Sequence, residues 1–189
     1  MTATASTPLT NLQLVKDYLG IKTEGEDPLL QVMIDQKSAE IEDRCSRQFK
    51  LQSYSEAIDG LGEGDGLTKV MVSQSPLVSV TSLSVGGVAI PARTSVTGNG
   101  YVIDDNDVIT LQGYTFDQGT KNILATYTAG YATIPADLQM AATYLVCLEY
   151  QRRKRIGISS EGTQGQTRSY EQDEPAWVTR TIENYSARS

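Results

Sequence analysis

The sequence has no histidine, only two cysteines and one tryptophan, and it is short of positive charge. Without histidine it lacks the side chain most used as a general acid or base near neutral pH, and the commonest zinc ligand. Serine–histidine and cysteine–histidine nucleophiles are therefore excluded, as are histidine-ligated metal centres. Cys45 and Cys147 are far from CxxC spacing and each falls in a predicted helix. They read as reduced, buried, small apolar residues, with a disulfide as the alternative. Sixteen lysines and arginines face twenty-three aspartates and glutamates, a net charge of −7. Such a chain does not hold nucleic acid through bulk charge. An acidic wall can still surround DNA and leave it free to slide. Long apolar runs are missing too. Leu138–Tyr150 is shorter than the ~20 residues of a membrane span, and Met1–Pro8 is too polar for a secretory signal. A soluble protein made in a reducing cytoplasm is expected.

What is present supports a globular chain: 39% of the 189 residues are apolar and 21% are charged. Thr10 and Gln13 fit a capping box at the start of a helix that buries Leu12, Val15 and Leu19 and stops at Gly20. Asp27, with Pro28 behind it, predicts the start of a second helix whose stripe is Leu30, Ile34, Ile41 and Cys45, running to about Arg47. From Ser53 the pattern alternates. Short strands are predicted at Lys69–Val72, Val78–Val85, Val88–Ile90, Tyr101–Ile103, Val108–Leu111 and Asn122–Tyr127. Gly86-Gly87 suits a tight hairpin, and Asn99-Gly100 and Asp105-Asn106 are turn formers. After Pro135 a helix follows in which only Gln139, Thr143 and Glu149 are polar between Leu138 and Tyr150. A helix apolar around nearly its whole circumference is either a central core helix or is covered by neighbouring subunits. It closes on Arg152, Arg153, Lys154 and Arg155, where positive charge complements the helix end. Residues 157–172, rich in Gly, Ser, Gln and Thr, read as a linker or extended arm. A last amphipathic helix, Pro175–Tyr185, carries Val178, Ile182 and Tyr185 on one face with Trp177 beside them. On a tether it is expected to dock on its own body or on a partner.

Patterns that look like chemical sites are better explained otherwise. The glycines at 60, 62, 64 and 66 lack a Gly-Lys-Ser/Thr ending and enclose Glu63 and Asp65, so a surface loop is preferred to a phosphate cradle. Calcium held by Asp59, Glu63 and Asp65 departs from the EF-hand spacing. Asp104, Asp105 and Asp107 surround Asn106 where a hairpin must turn, which fits a solvated turn. The basic cluster at 152–155 is either a helix cap or a contact with an acidic partner or DNA phosphate. Tyrosine is the main aromatic residue, ten against two phenylalanines. Tyr127, Tyr131, Tyr144, Tyr150, Tyr170 and Tyr185 suit half-wet subunit interfaces, with ordinary core packing as the alternative.

Three features in order carry a family resemblance: LVKDYLG at Leu14–Gly20, the helix Leu29–Phe49 ending in CSRQF, and ATYTAGYATIPADLQMAA at Ala125–Ala142. Over about Thr10–Arg155 the chain resembles the head–tail connector, or adaptor, proteins of long-tailed double-stranded DNA phages. Tyr127, Gly130 and Tyr131 match that family's glycine turn. Pro135, Asp137 and Leu138 match its helix start, and Arg152 its helix end. The resemblance implies an α+β fold with a helical connector-type core, three main helices plus a C-terminal helix. An antiparallel β insertion, longer than in the minimal members, then lies between the second and third helices. The division expected is a flexible start at 1–9, a helical body at 10–156 with the insertion at about 53–127, and a linker with a docking arm at 157–189.

The function implied is structural, with no catalytic residue, metal or cofactor: a ring of twelve copies below the portal, around the DNA exit channel, joining capsid to tail. Partners implied are other copies, the portal protein and a stopper or tail-terminator protein. Genomic DNA passes the lumen without sequence-specific binding, and no membrane is involved. The place implied is the virion neck, after synthesis in the host bacterial cytoplasm. Leu138, Ala141, Ala142, Tyr144, Leu145, Leu148 and Tyr150 are expected in the core or subunit interface. Arg152, Arg153, Lys154, Arg155, Tyr170, Trp177, Val178, Ile182 and Tyr185 are expected on the portal-docking arm. Two other readings stay open: a different neck or tail-completion protein, and a non-enzymatic β-type module binding carbohydrate or protein. A hydrolase would need a metal held by carboxylates alone.

Overall fold

Gly20 ends the first helix as its place after Leu19 predicts. With φ at +70° its N–H turns back onto the Asp17 carbonyl, a left-handed cap that costs a glycine little. The computed structural model describes residues 8–60, 67–104, 107–153, 160–163, 166–169 and 174–186. The chain divides into two compact units, one of residues 1–46 with 134–188 and the other of residues 47–133.

The first unit is helical: α1 (Leu12–Leu19), α2 (Asp27–Cys45), α3 (Ala136–Arg152) and α4 (Ala176–Asn184). The predicted capping box is displaced by one residue. Asn11 caps α1 by accepting the Leu14 N–H at 2.8 Å. The Thr10 hydroxyl instead meets that of Thr143, 2.7 Å away and buried. The start of α2 shifts likewise, with Glu26 as the capping residue and Asp27 inside the first turn, where it pairs with Lys16 at 2.7 Å. Leu30, Ile34, Ser38, Ile41 and Cys45 form the buried stripe of α2. Ser38 is satisfied there, donating to the Ile34 carbonyl and accepting the Leu9 N–H. Val15, Leu30, Ile34, Val146 and Cys147 make one buried cluster among α1, α2 and α3. Both cysteines are buried thiols.

The second unit is β. One sheet has the order β1 (Gln52–Gly60), β7 (Gly119–Ala129), β3 (Leu77–Val85), β4 (Val88–Ala89). The other has the order β2 (Lys69–Met71), β6 (Val108–Gln112), β5 (Gly100–Asp104). All pairings in both are antiparallel. Ile123, Ala125, Tyr127 and Ala129 of β7 point inwards at every second residue. They share a core with Leu83 and Val85 of β3, Ile109 and Leu111 of β6, and Phe116. A further hairpin, β8 (Ser160–Thr163) with β9 (Gln166–Ser169), lies in the stretch expected to be a linker.

The helical connector-type core with a β insertion is corrected by this architecture. Helix and strand contents are about equal among the described residues, and a large buried cluster of twelve residues lies in the β unit. The physical reason is that the strands run longer than their apolar residues suggest. β1 and β7 extend for nine and eleven residues, and serine and threonine on their outer face hide the alternation. Paired across two sheets, short stretches of Val, Ile and Leu enclose a core of their own.

Where the chain leaves β7, Gly130 takes φ of +109° and donates to the Pro76 carbonyl at 2.9 Å. A Cβ there would lie 2.5 Å from the Lys50 carbonyl oxygen. Gly130→Ala is expected to destabilise the β unit by about 2 kcal/mol or more, since strain and a backbone clash combine. Urea unfolding of the variant measures this, and an unchanged midpoint would contradict it.

Candidate assembly surface

The residues singled out from the sequence are distributed over both units. Tyr127, Gly130 and Tyr131 belong to the β unit. Tyr127 is fully buried, and burial pushes its hydroxyl up to about 12, against the bond from Ser73. Its ring packs on Tyr54 with centroids 5.7 Å apart. Tyr131 stacks on Phe49 at 6.5 Å, and the two backbones exchange a bond from the Tyr131 N–H to the Phe49 carbonyl at 2.7 Å. These tyrosines make the inside of a unit.

Pro135 precedes α3 as its capping residue, with φ of −55° and ψ of 139°, and its carbonyl accepts the Gln139 N–H at 2.9 Å. Asp137, in the first turn, accepts the Leu138 N–H at 2.9 Å. It also accepts the Tyr185 hydroxyl from the far end of α4, at 2.8 and 3.1 Å. Along α3, Leu138, Ala141, Ala142, Thr143, Leu145, Val146 and Cys147 are buried, while Tyr144, Leu148 and Tyr150 are half-buried. α1, α2 and α4 all pack on this helix. Its own chain covers the buried residues, and leaves Tyr144, Leu148 and Tyr150 half-buried and Met140 exposed.

At the end of α3, Arg153 binds Glu26 at 2.6 Å and lies 4.2 Å over the Tyr150 ring. The Tyr150 hydroxyl donates to the other Glu26 oxygen. Arg153 is therefore engaged within its unit. Arg152 has its Nε and Nη2 buried, with no hydrogen-bond partner among the described residues. Lys154, Arg155 and Tyr170 lie outside the described residues.

α4, expected on a docking arm, is held to its own unit. Val178 and Ile182 are buried, and the Ile182 carbonyl accepts the Cys45 thiol at 3.5 Å. Sequence reasoning assigned no role to Glu174. Arg44 grips it with two nitrogens at 2.8 and 3.2 Å, and Thr179 donates to it at 3.0 Å. Burial pushes the Glu174 carboxyl up, but the bonds from Arg44 and Thr179 outweigh that and hold it below the usual range. A glutamate before a helix and an arginine far upstream gave no local signal. What α4 leaves outside is Trp177, 45% exposed, set edge-on to Tyr144 at 5.4 Å. Met140, one turn before Tyr144, is exposed as well. Trp177, Tyr144 and Met140 thus form an aromatic and thioether patch, the kind of surface on which interfaces centre.

Nothing at this surface has the composition of a catalytic centre. Among the described residues no three carboxylates or thiols are grouped to hold a metal. Asp104 is tied to Lys69 at 2.9 Å, and Asp59 accepts the Lys121 N–H at 2.6 Å. No helix among the described residues is long and apolar enough to cross a membrane.

Comparison with known proteins gives the family. The model of the head completion protein family matches residues 8–187. Three solved structures share the fold. In the neck of an empty GTA particle computed with C6 symmetry, the similar chain is 19% identical with a TM-score of 0.59, covering 99% of this chain and 94% of that one. In the virion of a native gene transfer agent (GTA) particle, identity is 20% and the TM-score 0.58, with the same coverages. In the neck of a native GTA particle computed with C12 symmetry, identity is 18% and the TM-score 0.51, covering 100% and 97%. The curated proteins give no match.

Because Glu174 titrates below its unfolded value, its bond with Arg44 stabilises α4 fully above about pH 4.5 and is lost as pH falls through the lower, folded value. Trp177, the sole tryptophan, reports this directly. Its fluorescence is expected to stay constant from neutral pH to about 5 and to change on further acidification. Glu174→Gln is expected to loosen α4 by less than about 1 kcal/mol, given the partial exposure of the pair, and to flatten the acid response. An identical acid response in the variant would contradict the assignment.

Proposed function

The chain belongs to the head completion protein family, and on that premise we propose that it is a non-enzymatic ring subunit of a tailed-phage neck. In this reading it sits below the portal around the DNA channel and joins the capsid to a stopper or tail protein. The family match over residues 8–187 carries the proposal. The fold shared with subunits of necks computed with C6 and C12 symmetry supports a cyclic assembly, for which twelve copies is the number proposed.

The chemistry agrees with that place. A chain of net charge −7 lining a channel repels the DNA backbone and lets it slide. The buried clusters among the described residues form within one chain, so the contacts between copies are proposed to run through surface groups. Trp177, Tyr144 and Met140 are the proposed centre of the contact with the portal, and Arg152 with its basic neighbours the charged part of it. Val178 and Ile182 then serve docking indirectly, by fixing α4 so that Trp177 faces outwards.

The test is to mix purified protein with DNA-filled, tail-less heads bearing portals and to image them by electron microscopy. A ring added at the portal vertex is expected, and Trp177→Glu, at an exposed position, is expected to weaken attachment at least ~10-fold while leaving the fold intact. Heads that remain bare at saturating wild-type protein would overturn the proposal.

A further inference from the structure

Arg152, the last residue of α3, holds two donors that the chain leaves unused. Its Nε and Nη2 are both buried, and neither has a hydrogen-bond partner among the described residues. The two lie on one edge of the guanidinium with their N–H bonds parallel, the fork that grips a planar oxyanion with two bonds. Buried donors without an acceptor cost the folded chain free energy, and such groups are rare in native structures. The carboxylate nearest along the helix is engaged elsewhere, since Glu149, one turn earlier, pairs with Lys37 at 3.6 Å. Two other arginines of the same unit are satisfied in the way Arg152 is not. Arg44 holds Glu174 with two nitrogens, at 2.8 and 3.2 Å, and Arg153 holds Glu26 at 2.6 Å.

Its place on the helix ties Arg152 to the exposed patch. Tyr144, Leu148 and Arg152 follow at i, i+4 and i+8, so they share one face of α3, with Arg152 ~12 Å along the axis from Tyr144. Tyr144 meets the edge of Trp177 in the patch proposed to contact the portal. Leu148 between them is half-buried, as is Arg152 as a whole, so the head of Arg152 lies just under the same surface. An aromatic, apolar centre with an arginine beside it is the make-up of the residues that dominate binding at interfaces.

We infer that Arg152 is a carboxylate-binding site: when the Trp177 patch docks, Nε and Nη2 take the two oxygens of an aspartate or glutamate side chain of the portal protein. The inference rests on the docking contact proposed above and names the group that the partner presents there. A carboxylate is favoured over a DNA phosphate because a chain of net charge −7 holds DNA off. It is favoured also because Arg44 and Arg153 both take carboxylates in this unit. A pair desolvated in this way slows dissociation more than it speeds encounter. The unpaired donors then burden the free chain and are relieved on docking, and a surface without an acid at that point is rejected because it leaves them unpaired.

The test sets two measurements on full-length Arg152→Met against each other. Methionine keeps the apolar stem and removes the orphaned donors, while Arg153 keeps positive charge at the helix end. The urea midpoint of the free variant is expected to equal or exceed that of wild type, since no bond within the chain is lost. Its attachment to portal-bearing heads, read as the concentration that half-saturates them, is expected to be at least ~30-fold weaker. Arg152→Lys, which keeps the charge but not the fork, should recover only part of that loss. A clearly lower midpoint would make Arg152 a structural residue, and attachment equal to wild type would leave its fork without a role. Either result overturns the inference and leaves the docking reading standing. A loss seen on DNA-filled heads but not on emptied ones would make the acceptor a phosphate and overturn it as well. If wild-type protein leaves the heads bare, the docking reading fails and this inference with it.

Discussion

Each unit has one element that packs against several others, and the two elements follow each other in the chain. β7 is paired along both edges, with β1 and with β3, and its inward side chains are the middle of the sheet core. α3 is packed by α1, α2 and α4 and buries seven residues around its circumference. β1 and β3 are located by pairing with β7, and α1, α2 and α4 by packing on α3. The link between them is correspondingly constrained. Gly130 passes so close to the Lys50 backbone that no side chain fits, and Pro135 sets the entry to α3. The stretch from Gly119 to Arg152 is therefore the part of the chain least free to vary.

In the proposed ring, assembly falls to surface that the buried clusters leave exposed. That is a short inventory. The Trp177, Tyr144 and Met140 patch offers polarisable apolar surface. The acidic character of the rest keeps copies apart until this surface meets its partner. α4 links the two levels, because Arg44, Asp137 and the core under Val178 and Ile182 fix the helix that carries Trp177.

Local features were legible in the sequence where one residue's own chemistry decides them. Gly20 as a helix stop, the strands around Gly86-Gly87 and Pro135 before α3 are of this kind. Helix starts were displaced by one residue, because Thr10 found a distant partner in Thr143 and left the cap to Asn11. The balance of the fold was misjudged for a related reason. The outer rows of the four-stranded sheet, such as Ser53–Thr128 and Ser55–Thr126, are serine and threonine, so strands of nine and eleven residues showed only a few apolar positions. The weight of a β core depends on which strands pair, which a single strand does not reveal. The grip of Arg44 on Glu174 spans most of the chain and was invisible for the same reason. The family resemblance, read from Leu14–Gly20, Leu29–Phe49 and Ala125–Ala142 in order, agrees with the family that the comparison gives.

The proposed neck ring holds this chain once per portal subunit. Quantitative mass spectrometry of purified particles, with isotope-labelled peptides of this chain and of the portal and major capsid proteins, counts it directly. The account predicts about twelve copies per particle, in a one-to-one ratio with the portal, as a closed cyclic contact requires. A copy number that tracks the major capsid protein, or its absence from mature particles, would contradict it.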